Sequence, residues 1–237
     1  MTYRFIYIPE DFLMFVYWMN FLAHFHFFRR HDDHYHLGLI FPDLLNHFCK
    51  HHYPRHIKIN NVAFEAIHKG CLTHLNADKI FHQSKHFKHL LESFSATLNP
   101  QAQWPRKWFF NHVLAEIMID RILLIKHPQS ADEFYASLRQ IEADHLNAFL
   151  TFLSVDVDQF MHGFKRFIAA EFVKHYDQDL ALITSIQNLY RRVGINYIFT
   201  PTDQLYIQSS LVTLQSIVEE KLPAIVNELS QINDICV

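Results

Sequence analysis

Four glycines in 237 residues constrain this chain more than any other feature. Tight hairpins and phosphate-cradling loops draw on glycine because they need positive φ or a missing side chain. A chain so poor in it is directed towards helices joined by short connections made with proline and polar residues. The hydrophobic pattern agrees. Apolar residues recur at helical spacing almost throughout, and half of all residues are hydrophobic, 23 of them phenylalanine, enough for a substantial core.

The periodicity predicts helices at 19–29, 42–50, 60–80, 83–96, 105–126, 131–152, 156–175, 178–192, 202–213 and 214–231. Breaks fall near Asp32-Asp33, Tyr53-Pro54, Asn99-Pro100, His127-Pro128 and Thr200-Pro201, with Ser130 and Thr202 where N-caps belong. No linker, repeat or low-complexity segment interrupts the pattern. The expectation is one all-α, compact multi-helix domain over 19–237. Residues 1–18 are then an extension or a misplaced start.

Several function classes are disfavoured. A net charge of -3 gives no global attraction to nucleic acid or anionic membrane. The apolar stretch from Phe12 to Ala23 falls short of the roughly 20 residues that span a bilayer, and no basic segment and cleavage site flank it. Three cysteines (Cys49, Cys71, Cys236) at unrelated spacings suggest neither a disulfide framework nor a zinc knuckle. A reducing cytoplasmic compartment is the default expectation.

The unusual count is 19 histidines. Those around Tyr53-Pro54 (His47, His51, His52, His56) read as a solvated turn. More informative is the predicted helix 105–126, where His112, Glu116 and Asp120 step by four along an otherwise apolar segment. Imidazole and carboxylates on one line suit a divalent metal, or they form the helix's single solvated face. In 60–80, His74 and Asp78 lie on or beside the apolar face marked by Phe64, Ile67, Cys71 and Leu75, as a hydrogen-bonded pair or as ligands. Gly70, in mid-helix, costs about 1 kcal/mol against alanine, so close packing or a ligand must require it. His24 sits within the apolar run 21–28, as a core histidine or a ligand. Asp43 follows Pro42, where it would favour a helix start or contribute to a site.

These residues together resemble a known family. Met19-Asn20-Phe21-Leu22-Ala23-His24 is similar to the opening M-N-F/Y-L-A-H of the acyl carrier protein phosphodiesterases, or ACP hydrolases. Gly38 to Asp43 resembles their G-N-x-x-x-D segment. Residues 67–78 stand in the place of I-x-x-H-R-x-I-D-x-x-T-D, and 116–123 in that of D-x-x-x-D-H-x-L. Tyr176-Asp177 and Tyr190 to Val193 resemble the distal half, so the likeness runs from about 19 to 231.

The resemblance implies a helical fold distantly related to HD phosphohydrolases. The implied activity is metal-dependent release of 4'-phosphopantetheine from holo-acyl carrier protein, with manganese as the usual ion. Carried over by position, the metal ligands are His24, Asp43, Asp78 and Asp120, with Glu116 in place of an aspartate. His74 is a further candidate ligand, and Asp43 and Arg121 are the candidate catalytic residues. The family's His-Arg pair is here Gly70-Cys71, its next aspartate is His74, and the histidine after its later aspartate is Arg121. His68 or His112 would then fill vacated corners, and Arg121 would serve as a fixed cation for phosphate. An acidic carrier protein needs a basic docking patch, for which Lys85 with Lys88, Arg106 with Lys107, Lys165 with Arg166, and Arg191 with Arg192 are candidates. The alternatives are a relative that binds or regulates acyl carrier protein without catalysis, and a metal- or oxygen-carrying helical protein.

Overall fold

The computed structural model describes residues 20–98 and 104–230. The expected extension 1–18, Met19 of the opening motif, the Asn99-Pro100 break and Cys236 lie outside them. Among the described residues the fold is all-α, with eleven α-helices and no strand. The helices are α1 (Phe21–Phe28), α2 (Asp33–Gly38), α3 (Phe41–Cys49), α4 (Val62–Gln83), α5 (Lys85–Thr97), α6 (Lys107–Lys126), α7 (Ser130–Arg139), α8 (Ala143–Phe152), α9 (Val157–Ala170), α10 (Asp179–Arg192) and α11 (Pro201–Ser230). A 3-10 turn, Phe172–His175, joins α9 to α10. No helix among the described residues is long and apolar enough to cross a membrane.

The helices differ from the predicted ones at four places, two of them with a clear local cause. The break at Asp32-Asp33 is a start rather than a gap: Asp32 accepts the Tyr35 amide at 3.1 Å and so caps α2, a helix the periodicity did not show. The predicted 131–152 divides into α7 and α8 around 140–142, where neither glycine nor proline marks a break. The predicted 156–175 stops at Ala170 because Glu171 takes a left-handed conformation (φ 43°). Glu171 there pairs with Arg139 and, at 2.9 Å, with Lys174. In the opposite direction, 202–213 and 214–231 fuse into the 30 residues of α11, which continue through Pro223.

The core is organised around α6. From Phe109 to Leu124 almost every residue is buried, whichever way it points, and α1, α5, α7, α10 and α11 pack on it. The polar stripe of α6 is therefore interior and not a solvated face. Phenylalanine fills the remaining space through edge-on and tilted contacts, such as Phe21 on Phe167 at 5.2 Å and Phe41 on Phe149 at 5.3 Å.

Two of the four glycines explain how the site is assembled. Gly38, ending α2, and Gly70, midway along α4, meet where the two helices cross. A Cβ on Gly70 would lie 2.2 Å from the Tyr35 carbonyl oxygen and 2.8 Å from the Gly38 Cα. A Cβ on Gly38 would lie 2.2 Å from the Ile67 oxygen. Backbone packs on backbone there, and this close packing is what Gly70 is required for. It holds the α2–α3 corner, with Leu39 and Asp43, against the middle of α4.

Candidate metal centre

Helix α4 places His74, Asp78 and His82 at successive four-residue steps, which aligns them on one stripe. Helix α6 does the same for His112, Glu116 and Asp120. The two stripes, His24 of α1 and Asp43 of α3 supply eight ionisable groups to the interior. His24, Asp43, His74, Asp78, Glu116 and Asp120 are all at most 4% exposed.

Asp120 has a specific role in this assembly. Asn20, at the N-cap position of α1, makes no side-chain cap. Asp120 takes over from 97 residues away: its two oxygens accept the Ala23 amide at 2.8 Å and the Leu22 amide at 3.1 Å. It thus satisfies the free amides of the first turn and complements the positive helix end. The sequence motif groups Asp120 with the ligands, but here its oxygens serve α1, and its effect on the centre is to fix His24. Asp120→Ala is expected to lower unfolding stability by about 2 kcal/mol, at the upper end of cap losses. Denaturant unfolding measures this, and Asp120→Asn, which keeps one acceptor, should lose less.

The centre itself is formed by His24, Asp43, His74 and Asp78. The Nδ1 of His74 donates to the Leu39 carbonyl oxygen at 2.8 Å, which points Nε2 at both carboxylates. That Nε2 lies 3.4 Å from Asp43 Oδ1 and 3.3 Å from Asp78 Oδ2. His24 Nε2 stands 3.0 Å from Asp78 Oδ1, with the two imidazoles tilted at 4.3 Å between centroids. Neither buried ring nitrogen of His24 has a hydrogen-bond partner, and its Nε2 meets Asp78 as an ion-pair contact. One ligand atom each from His24, His74 and Asp78 falls within 4.8 Å of the others, close enough to hold one ion.

Burial and charge oppose each other here. Burial pulls the His74 imidazole down, but the Asp78 and Asp43 carboxylates outweigh it and hold the ring well above its ordinary value. Burial pushes Asp78 up, yet His74 and His24 hold it well below the usual carboxylate range. Asp43 ends above its ordinary value because burial prevails over His74. Without an ion, His74 is an imidazolium between two carboxyl groups.

Next to this centre, Glu116 faces two histidines. Its Oε1 lies 3.0 Å from His112 Nε2 and 3.8 Å from His82 Nε2. Burial pushes the Glu116 carboxyl well up and pulls His112 down to about 4. Glu116 and Asp120 therefore stand apart from the first cluster, although the motif groups all of them as ligands. His82 was not singled out by the sequence reading. Its signal was present, since it continues the His74–Asp78 step by four more residues.

Two further candidates lie elsewhere. Arg121 is turned to Asp179 at 2.8 Å and to the Tyr176 carbonyl oxygen at 3.3 Å, so its guanidinium braces α6 against α10 and does not face the cluster. His68 pairs with the Tyr53 hydroxyl at 2.7 Å. Beside His24 is a cavity of about 20 Å³, room for a water, lined in part by Ala77 and Phe81 and by Leu222, Ile225 and Leu229 of α11.

Comparisons with family models, curated proteins and solved structures give no match for this chain.

Proposed function

We propose that the protein is a divalent-metal hydrolase of phosphodiesters, with 4'-phosphopantetheine linked to acyl carrier protein as its substrate. The observation that carries this reading is the meeting of His24, His74 and Asp78 at one buried point, with both His24 nitrogens free of hydrogen bonds. Two imidazoles and a carboxylate suit manganese, iron, cobalt or zinc, and manganese is the ion that the family resemblance implies. A bound ion supplies charge to polarise a phosphoryl oxygen. The Leu39 carbonyl oxygen fixes the tautomer and plane of His74, as outer partners of ligating histidines do. Asp43, raised by burial and 3.4 Å from His74, is the carboxyl group able to hold a proton for the leaving serine oxygen. Leu222, Ile225 and Leu229 of α11 line the water-sized cavity beside His24, so a phosphoryl group entering from that side needs the cavity to widen.

An acidic partner has a matching surface. Arg166 and Arg192 line a cavity of about 500 Å³ whose walls come from α3, α9 and α10. Burial lowers Arg192, and Arg166 and Arg191 lower it further, which supports a cationic docking face for an acidic partner here.

A second reading is a non-catalytic binding relative. It is favoured by the way His74, as imidazolium, answers both Asp43 and Asp78 with no ion present. Incubation with holo-acyl carrier protein and manganese separates the two. The hydrolase reading expects release of 4'-phosphopantetheine, reduced about 100-fold or more in Asp43→Ala, the range of a lost general acid. No release with manganese, zinc, iron or cobalt, in protein that has bound the ion, would leave only the binding role.

A further inference from the structure

We infer that the protein holds a second divalent ion, bound by His82 of α4 and by His112 and Glu116 of α6. One ligand atom from each lies within 4.8 Å of the others. Both histidines direct Nε2 at the same carboxylate oxygen, at 3.0 Å from His112 and 3.8 Å from His82. Their rings stack at 5.0 Å between centroids and 24° between planes, so the two nitrogens are presented side by side. The edge contacts of Phe87 with both rings, at 5.2 and 5.7 Å, form an apolar wall behind them.

A simple His112–Glu116 hydrogen bond does not account for this arrangement. It uses Oε1, while Glu116 Oε2 is buried with no hydrogen-bond partner, in a residue 2% exposed. A buried carboxyl oxygen left without a partner is destabilising, and an ion held by both oxygens or by the outer one removes that cost. The 3.8 Å approach of His82 is likewise too long for a hydrogen bond and of the size that closes around an ion.

The two candidate ions are neighbours with separate ligands. His82 lies one turn beyond Asp78, about 6 Å along the α4 axis, and the two groups have no residue in common. Two imidazoles and one carboxylate select a first-row transition ion over magnesium or calcium. Three protein ligands also leave a position for water or a ligand. This inference does not rest on the hydrolase reading.

The test uses the full chain, stripped with a chelator and reloaded with Co²⁺, read by elemental analysis and by visible absorption. The wild type is expected to take two ions per chain. Glu116→Gln, near-isosteric, and His112→Ala are each expected to take one, with circular dichroism confirming the fold. Asp78→Asn should also take one, with a different absorption band remaining. One ion in the wild type that is lost in Glu116→Gln but kept in Asp78→Asn supports this site while sinking the first centre. Unchanged stoichiometry in a folded Glu116→Gln, or a single wild-type ion lost only in Asp78→Asn, would overturn the inference.

Discussion

His74→Ala is expected to lower the melting temperature of the metal-free protein by roughly 10 °C and to weaken binding at the first metal position more than about 100-fold. The stability loss follows from what is left behind. Asp43 and Asp78, at 3% and 4% exposure, would face each other with the imidazolium between them gone. Removing one partner of a buried ion pair costs about 3–5 kcal/mol, and each kcal/mol is worth about 2–4 °C in a chain of this size. The effect on binding follows from losing a ligand, which must exceed the 10–100-fold cost of losing an outer partner.

The gap between wild type and variant should also depend on pH. His74 is raised in the fold, so its contribution is complete below its unfolded value of about 6.5 and is lost as pH rises through the raised value. Asp78 is depressed, so its contribution is complete above about 3.9 and is lost as pH falls. The gap is therefore widest between about pH 4 and 6.5. Thermal melts of both proteins with chelator across that range measure it. An equal gap at pH 5 and pH 9 would show that His74 is not the cation of the cluster.

Gly70→Ala is expected to be nearly as damaging, although alanine is the better helix former. Propensity alone predicts a gain of about 1 kcal/mol. Against it stands a Cβ 2.2 Å from the Tyr35 carbonyl oxygen and 2.8 Å from the Gly38 Cα, both of them backbone with no rotamer to yield. Overpacking in a tight core costs about 1–3 kcal/mol, more when only main chain can move, so a net loss near 3 kcal/mol and roughly 6–12 °C is expected. Separating α2 from α4 also draws the Leu39 carbonyl oxygen away from His74, so binding at the first metal position should fall with stability. Gly163→Ala is the control. Its Cβ would come nearest the Phe48 ring, at 2.4–2.9 Å, a side chain and not main chain, so a smaller loss is expected. If Gly70→Ala melts at or above the wild type, the helix crossing is looser than described.

How much of this was legible in the chain depends on range. Helical periodicity and scarce glycine were enough for the all-α class and for most helix positions, because burial of one face leaves its trace every three or four residues. Helix α2 escaped since six residues are too few to show a period, and the α7–α8 break carries no breaker residue. For the site, the stepping of His74 with Asp78 and of His112 with Glu116 marked the helices that carry the buried ionisable groups. Which residues would meet was not legible, because it depends on how α4 and α6 face each other. Asp120 illustrates the point. In sequence it continues a ligand stripe, and only the distant start of α1, which lacks a cap of its own, turns it into a cap. Arg121 likewise reads as a fixed cation until Asp179 and the Tyr176 carbonyl oxygen are placed beside it.

The burial of α6 on every side has a consequence for how the molecule comes apart. A helix with no solvent face has no stable existence before its neighbours arrive, and its removal exposes apolar surface on all of them. α6 is packed by α1, α5, α7, α10 and α11, so partial unfolding that releases it dismantles the rest. Loss of structure should then be a single cooperative event, and fragments cut within 107–126 should not persist as folded pieces. The ionisable groups of α6 sit at this keystone, so occupancy of the interior by an ion would be felt by the whole chain at once.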